Sequence, residues 1–161
     1  MPQLIRNRAV IANEWTLTSD AAAPNPRVIL PLSEYVQAMA AGAPATARAV
    51  MLKPEDQDLT PLLTHLAHLP LIAVHFGSSG EGRGYTQARL LRERHGFKGE
   101  LRAVGAVRAD QIYFLARCGF DAFGLADGED AATAIAQFTR FSVAYQDGID
   151  NLTHPRRRYG M

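Results

Sequence analysis

The regular alternation of short apolar runs with segments of helical length, from Arg27 onward, most constrains the fold of this chain. The clearest apolar run, from Leu71 to Phe76, has the length and composition of a buried strand. Runs of this kind that alternate with helices of about ten residues indicate βαβ units and a parallel sheet. We therefore predict an α/β fold with a mainly parallel sheet of about five βα units. The sheet is either a small doubly wound sheet or a partial, barrel-like one. A full eight-unit barrel is excluded because it needs roughly 250 residues.

The first residues of the chain predict a hairpin that precedes this core. Residues 4–6 and 9–11 are short β-prone runs, and the turn-prone Asn7 and Arg8 separate them. The segment that ends at Pro26 is small, polar and proline-bearing, which is typical of a linker. A length of 161 residues suits one domain. We expect a single α/β domain with a hairpin and linker at 1–26, the βα core at 27–141 and a tail at 142–161.

Composition argues against several classes of protein. The net charge is +1, so no global field favours nucleic acid or a membrane surface as a partner. No segment approaches the roughly 18 consecutive apolar residues of a membrane span. Cys118 is the only cysteine, which excludes a disulfide within the chain and fits a reducing compartment. The N-terminal segment also lacks the long apolar run of a secretory signal. We therefore expect a cytoplasmic protein that binds neither nucleic acid nor membrane.

A glycine-rich segment at residues 77–85, here called the glycine loop, follows the strongest strand and opens a helix. In parallel sheets, ligands bind at the carboxyl ends of strands, where this loop should lie. Its peptide N–H groups and the positive end of the next helix favour an anion, and arginines can bind one bidentately. The spacing matches neither nucleotide-binding glycine motif, so a flexible connection remains the alternative. The predicted anion-binding residues are Ser78, Ser79, Gly82, Arg83, Gly84, Tyr85 and Arg89.

Three further residues are weak catalytic candidates near the same edge. His75 lies at the end of the strongest strand and is either buried or part of a cleft. Arg108 and Asp110 follow the next strand, where Asp110 is either a helix N-cap or a cleft residue. The pair His65 and His68 lies three residues apart on a predicted helix, but no third ligand accompanies it. We therefore predict no metal site.

Charge is distributed unevenly along the chain. Basic residues dominate between Glu81 and Arg108, and acidic residues dominate between Asp121 and Asp150. The pattern indicates either two solvated helical faces or a basic ligand site beside an acidic docking surface. The acidic residues are Asp121, Asp127, Glu129, Asp130, Asp147 and Asp150.

Several motifs together resemble a bacterial domain-of-unknown-function family. They are Gly82-Arg83-Gly84-Tyr85, the runs 88–94 and 99–105, Asp110-Gln111 and the run 114–123. The resemblance is densest over residues 82–123 and extends loosely over most of the chain. Members of this family are described as oxidoreductases involved in sulfite reduction and are commonly encoded beside the sulfite reductase haemoprotein. The resemblance thus implies a role in assimilatory sulfur metabolism, with that haemoprotein as a partner.

The resemblance carries over no catalytic residues, and this chain departs from the family pattern at two positions. Ala106 and Gly124 stand where members usually have acidic residues. The chain cannot itself be the catalytic reductase, because an iron–sulfur cluster needs four cysteine ligands and only one cysteine is present. We expect no iron–sulfur cluster or sirohaem of its own, and no flavin or nicotinamide motif identifies another cofactor.

We therefore expect an accessory protein or oxidoreductase of assimilatory sulfite reduction that binds a small anion, or an anionic cofactor group, at the glycine loop. One alternative is a stand-alone enzyme acting on a phosphorylated or carboxylated metabolite, with His75, Arg108 and Asp110 in its cleft. The other is a non-catalytic module that docks on the reductase through its acidic half.

Overall fold

A computed structural model describes residues 3–18, 27–42, 48–141 and 148–149. The strands are β1 (Leu4–Arg6), β2 (Ala9–Ile11), β3 (Thr16–Leu17), β4 (Val28–Pro31), β5 (Arg48–Leu52), β6 (Leu71–Phe76), β7 (Glu100–Gly105) and β8 (Ala122–Gly124). The helices are α1 (Leu32–Ala40), α2 (Thr60–Leu63), α3 (Arg83–Arg89), α4 (Ile112–Arg117) and α5 (Ala131–Gln137). A π-helical turn at 90–94 continues α3, and a 3₁₀ turn at 109–111 leads into α4.

All eight strands form one sheet in the order β2-β1-β8-β7-β6-β5-β4-β3. Strands β3 to β8 are parallel and lie beside one another in chain order. The hairpin β1–β2 joins the far edge antiparallel to β8, with Leu4 opposite Gly124. The predicted α/β class and the N-terminal hairpin are confirmed. The sheet is mixed, however, because the hairpin adds two antiparallel strands to it and does not stand apart from the core.

The helices cover one face of the sheet, here called the helical face. When consecutive parallel strands are neighbours, right-handed crossovers place every connecting helix on the same side. Accordingly Ile72, Val74 and Phe76 of β6 pack in a core shared with the helices. Leu71 and Ala73 point the opposite way, into a smaller cluster. The doubly wound alternative is therefore wrong, and the sheet is curled.

The opposite face, here called the concave face, is buried without help from the helices. Its cluster consists of Ile29, Ala49, Met51, Leu71 and Ala73, with Trp15 and Val104 packed against it. Curling of the sheet and the N-terminal segment that carries Trp15 keep these strand residues from water. Burial of such side chains stabilises the fold by about 1.5–3 kcal/mol for each large one.

Helix α3 approaches β6 closely because its second residue is glycine. A Cβ atom added at Gly84 would lie 2.7 Å from Cζ of Phe76 and 3.1 Å from Cγ1 of Val74. Both neighbours belong to the core, so neither can move without disturbing other contacts. Gly84 is therefore a packing residue of the helical face.

We expect Gly84→Ala to lower the free energy of unfolding by about 1–3 kcal/mol, the usual cost of overpacking. Gly82→Ala is the matched control, because a Cβ atom there meets nothing within 4 Å and the backbone is helical at φ −86°. Urea unfolding of the two variants and the wild type measures the difference. Equal midpoints for Gly84→Ala and Gly82→Ala would contradict the close packing of α3 on β6.

Candidate functional site

The glycine loop leaves the carboxyl end of β6 and is open to solvent over most of its length. Residues 77–80, 82 and 83 are exposed. A Cβ atom added at Gly77, Gly80 or Gly82 would meet nothing within 4 Å. The loop is nevertheless held in place, because the side-chain amide of Gln111 donates a hydrogen bond of 2.8 Å to the carbonyl oxygen of Ser79. This contact ties the loop to the next strand-to-helix connection along the sheet edge.

Arg83 is the arginine of the glycine loop, and no described residue neutralises its charge. Its guanidinium has no hydrogen bond or ion pair with any residue that the structure describes, although its backbone N–H donates to Oε1 of Glu81 at 3.1 Å. Arg89, by contrast, holds Glu93 at 2.8 Å between Nη2 and Oε1. The hydrogen bond to Glu93 raises the pKa of Arg89. Of the two predicted anion-binding arginines, only Arg83 offers an unneutralised charge.

Gly84 and Tyr85 face the protein interior. The Tyr85 ring is half-buried and packs edge-on against Phe76, with 5.4 Å between ring centroids. Burial raises the pKa of the Tyr85 phenol, whose hydroxyl also interacts with the Gln111 side chain. The structure therefore brings Ser78, Ser79, Gly82 and Arg83 together at the surface. Gly84 and Tyr85 adjoin that group but are turned into the protein, and the charge of Arg89 is paired with Glu93.

Arg83 also borders a cleft of about 370 Å³ between α3 and the connection from β5 to α2, here called the Gln87 cleft. Gln87 is 6% exposed, and its Nε2 donates to the carbonyl oxygens of Lys53 at 2.9 Å and Asp56 at 2.8 Å. Its Oε1 is buried and has no hydrogen-bond partner within the described part of the chain. The lining residues are Pro54, Gln57, Leu59, Arg83, Thr86, Gln87 and Leu90.

The unpartnered Gln87 oxygen marks a place for a hydrogen-bond donor. Leaving a buried acceptor unsatisfied costs about 1–3 kcal/mol, so a water molecule or a ligand group is favoured there. Sequence reasoning missed this residue, because a glutamine inside a helix carries no local signal of what its side chain will reach. The carbonyl groups that orient it lie more than thirty positions away.

The three weak catalytic candidates do not form one constellation. His75 lies on the concave side beside Gly105, where an added Cβ atom would be 3.0 Å from the His75 Nε2. Arg108 and Asp110 are exposed on the connection after β7, and Nε of Arg108 lies 3.6 Å from Oε1 of Glu129. No hydrogen bond or ion pair between described residues joins His75 to either of them.

Asp110 does not cap a helix. It lies inside the 3₁₀ turn, and the side chain of Gln111 accepts the Arg108 backbone N–H at 2.9 Å. The Gln111 side chain thus accepts the N–H of the residue before the turn, and the N-cap role predicted for Asp110 is not observed. The two positions that depart from the family pattern also lie at this edge, since Ala106 follows β7 and Gly124 ends β8.

Much of the acidic half of the chain supports the fold. Asp121 accepts the Leu101 backbone N–H at 2.9 Å and pairs with Arg92. Glu129 accepts the Ala109 backbone N–H at 2.7 Å. Asp127 is exposed, whereas Asp147 and Asp150 lie outside the described residues. The predicted docking surface stays a prediction, with fewer free carboxylates than the sequence suggested.

The histidine pair and the remaining titratable residues form no metal centre in the described ranges. His65 and His68 follow the end of α2 in successive turns, and the His65 ring packs edge-on against Tyr35 at 5.9 Å. No group of three His, Cys, Asp or Glu residues in these ranges is arranged to hold a metal ion. Within the same ranges, no helix is long and apolar enough to span a bilayer.

Asp130 provides a pH-dependent cap for α5. Its Oδ2 accepts the backbone N–H of Thr133 at 2.8 Å and the Thr133 hydroxyl at 2.6 Å. These hydrogen bonds lower its pKa from the usual 3.8. A lowered pKa in the folded state means that the stabilisation is complete above pH 3.8 and is lost as the pH falls through the lowered value.

We expect Asp130→Asn to make the melting temperature less steeply dependent on pH below about 4, because the amide keeps an N-cap acceptor but does not titrate. Asp127→Asn is the control, since this exposed carboxylate caps no helix. Thermal unfolding between pH 2.5 and 6 measures both slopes. If Asp130→Asn retains the wild-type slope, the cap does not contribute to acid sensitivity.

Comparison with known proteins identifies one family. Its model, described as "Bacterial protein of unknown function (DUF934)", matches residues 49–155. The match begins within β5, extends past α5 and includes the glycine loop and the Gln87 cleft, and it spans more than half of the chain. A search of curated proteins finds no match. The chain therefore belongs to the bacterial DUF934 family.

Proposed function

We propose that this protein is an accessory protein of assimilatory sulfite reduction in the cytoplasm. It binds a small anion, or the anionic group of a cofactor, at the exposed surface formed by Ser78, Ser79, Gly82 and Arg83. The observation that carries the proposal is the Arg83 guanidinium, which is exposed beside an open glycine loop and has no partner among the described residues. The sulfur role rests on the resemblance of residues 82–123 to a family described in those terms.

The chemistry of the loop suits an oxyanion. A guanidinium presents paired N–H donors at the spacing of two oxygen atoms of a sulfite, sulfate or phosphate group. The two serine hydroxyls add donors, and the open glycines let an anion approach the backbone. Exposure screens the charge, so the isolated interaction should be weak and salt-dependent.

The Gln87 cleft suggests how a larger ligand would gain affinity. Arg83 and Gln87 are four residues apart and so lie on one side of α3, one turn from each other. A ligand with an anionic group at Arg83 and a hydrogen-bond donor at Oε1 of Gln87 would satisfy both. The apolar side chains of Leu59 and Leu90 would contact the part between them. This arrangement favours an anionic cofactor group over a bare ion as the tighter ligand.

The presence of a single cysteine indicates which protein would carry out the reduction. Sulfite reduction on an iron–sulfur cluster needs thiolate ligands that this chain lacks, so the electrons would be transferred on the partner haemoprotein. This chain would supply or retain the anion. The stand-alone enzyme remains a weaker proposal, because no hydrogen bond or ion pair between described residues joins His75 to Arg108 or Asp110.

We expect Arg83→Gln to weaken binding of sulfite at least tenfold, because a charge-assisted hydrogen bond contributes about 1.5–3 kcal/mol. Arg94→Gln is the matched control, since Arg94 is also an exposed arginine on the helical segment that α3 begins. Thermal shift at fixed ionic strength measures binding, and a ligand at 100 times its dissociation constant should add about 2.7 kcal/mol of stability. Equal sulfite affinities for the two variants would reject the site.

Growth on sulfite as the only sulfur source then tests the pathway. In a strain that depends on this gene, Arg83→Gln should slow growth on sulfite but not on cysteine, and Arg94→Gln should slow neither. Normal growth of an Arg83→Gln strain whose protein no longer binds sulfite would reject the role in sulfite reduction while leaving the binding site in place.

A further inference from the structure

The concave face contains a second cleft, of about 290 Å³, that the proposed function does not use. It lies beside the carboxyl ends of β7 and β8, where Gly105 and Gly124 border it. Most of its lining is apolar, and Asp127 is the acidic residue at its border. We call it the concave cleft; its apolar lining includes Leu4, Trp15, Leu17, Ile29, Ala73 and Val104.

A buried arginine, Arg102, also lines this cleft. Its residue is 4% exposed, and it stands opposite Ala73 of β6 and Ala122 of β8 in the sheet. Its Nε and Nη2 lie 2.7 and 2.6 Å from Oε1 of Glu100, and its Nη1 donates to Oδ1 of Asn13 at 2.9 Å. A guanidinium has five N–H groups, so two of them lack a partner among the described residues.

The charge around Arg102 is also unbalanced. Glu100 is shared, because its Oε2 lies 3.0 Å from Nη1 of Arg6. Two guanidinium groups therefore have one carboxylate between them, and no described residue provides a second ion pair to either. The second positive charge belongs to Arg6, whose side chain is 45% exposed and therefore partly solvated, so an anion in the cleft would gain chiefly from the two N–H groups of Arg102 that lack a described partner.

We propose that the concave cleft binds an organic anion with an aromatic or otherwise apolar body, such as an aromatic carboxylate or sulfonate. The acid group accepts the two spare N–H groups of Arg102, and the body packs against Trp15, Leu17 and Val104. The volume is near the lower limit of small-molecule sites, which suits a ligand of one or two rings. This site and the glycine loop share no residue, so each can exist without the other.

The only tryptophan of the chain provides a direct test, because Trp15 lines the cleft. The probe is 1-anilinonaphthalene-8-sulfonate, and its uncharged counterpart N-phenyl-1-naphthylamine has the same rings without the acid. We expect saturable quenching of Trp15 emission with one sulfonate bound per chain, and at least tenfold weaker binding of the uncharged probe. Equal affinities for the two probes would overturn the proposal.

Two variants locate the binding. Gly124→Val should weaken sulfonate binding at least tenfold by filling the cleft, and the Cβ atom that it adds makes only ordinary contacts of 3.5 and 3.6 Å. Arg83→Gln should bind the sulfonate as the wild type does, which separates this site from the glycine loop. Wild-type affinity in a folded Gly124→Val protein would overturn the proposal.

Arg102→Gln tests the charge itself. Where the variant folds, we expect its preference for the sulfonate over the uncharged probe to disappear, and an unchanged preference would overturn the proposal. Where it does not fold because Glu100 loses its buried partner, the probe pair and Gly124→Val decide the question without it.

Discussion

The one-sided winding of the sheet is the constraint on which the rest of the structure depends. Six parallel strands lie side by side in chain order, so every connecting helix packs on the same face. The opposite face must then be closed by curling and by the N-terminal segment that carries Trp15. The same winding places the loops that follow β6, β7 and β8 along one edge. Both candidate sites lie at or near that edge, as ligand sites in parallel sheets generally do.

Local signals in the sequence predicted the elements well and their assembly less well. The run 71–76 became β6, and the glycine loop became an exposed connection, because apolar runs and glycines act over a few residues. The pairing of the N-terminal hairpin with β8 joins segments more than a hundred positions apart and has no local signature. For the same reason Gln87 was missed, as was the hydrogen bond from the Ala109 backbone N–H to Glu129, which lies twenty positions along the chain. Alternating side-chain direction in β7 placed the side chains of Glu100 and Arg102 inside, which the overall charge pattern did not indicate for any single residue.

The two arginines on which the proposals rest, Arg83 and Arg102, differ in their exposure to solvent. Arg83 is exposed, so water and salt screen its charge, and selectivity there must come from the loop backbone and the Gln87 cleft. Arg102 is buried, so its two N–H groups without a described partner act over a short distance in an apolar setting. The first environment suits a small, strongly hydrated oxyanion. The second suits an organic anion that gives up little water on entering.

The most direct test of the account follows the arginine side chains themselves. In the 15N-labelled protein, the Nε–Hε resonance of each arginine reports its own hydrogen bonding, and loss of one peak in Arg83→Gln assigns that residue. Sulfite is then added at constant ionic strength. We expect the Arg83 resonance to shift and saturate while that of Arg89, held by Glu93, stays in place. A stationary Arg83 resonance, with other arginines shifting at the same sulfite concentrations, would contradict it.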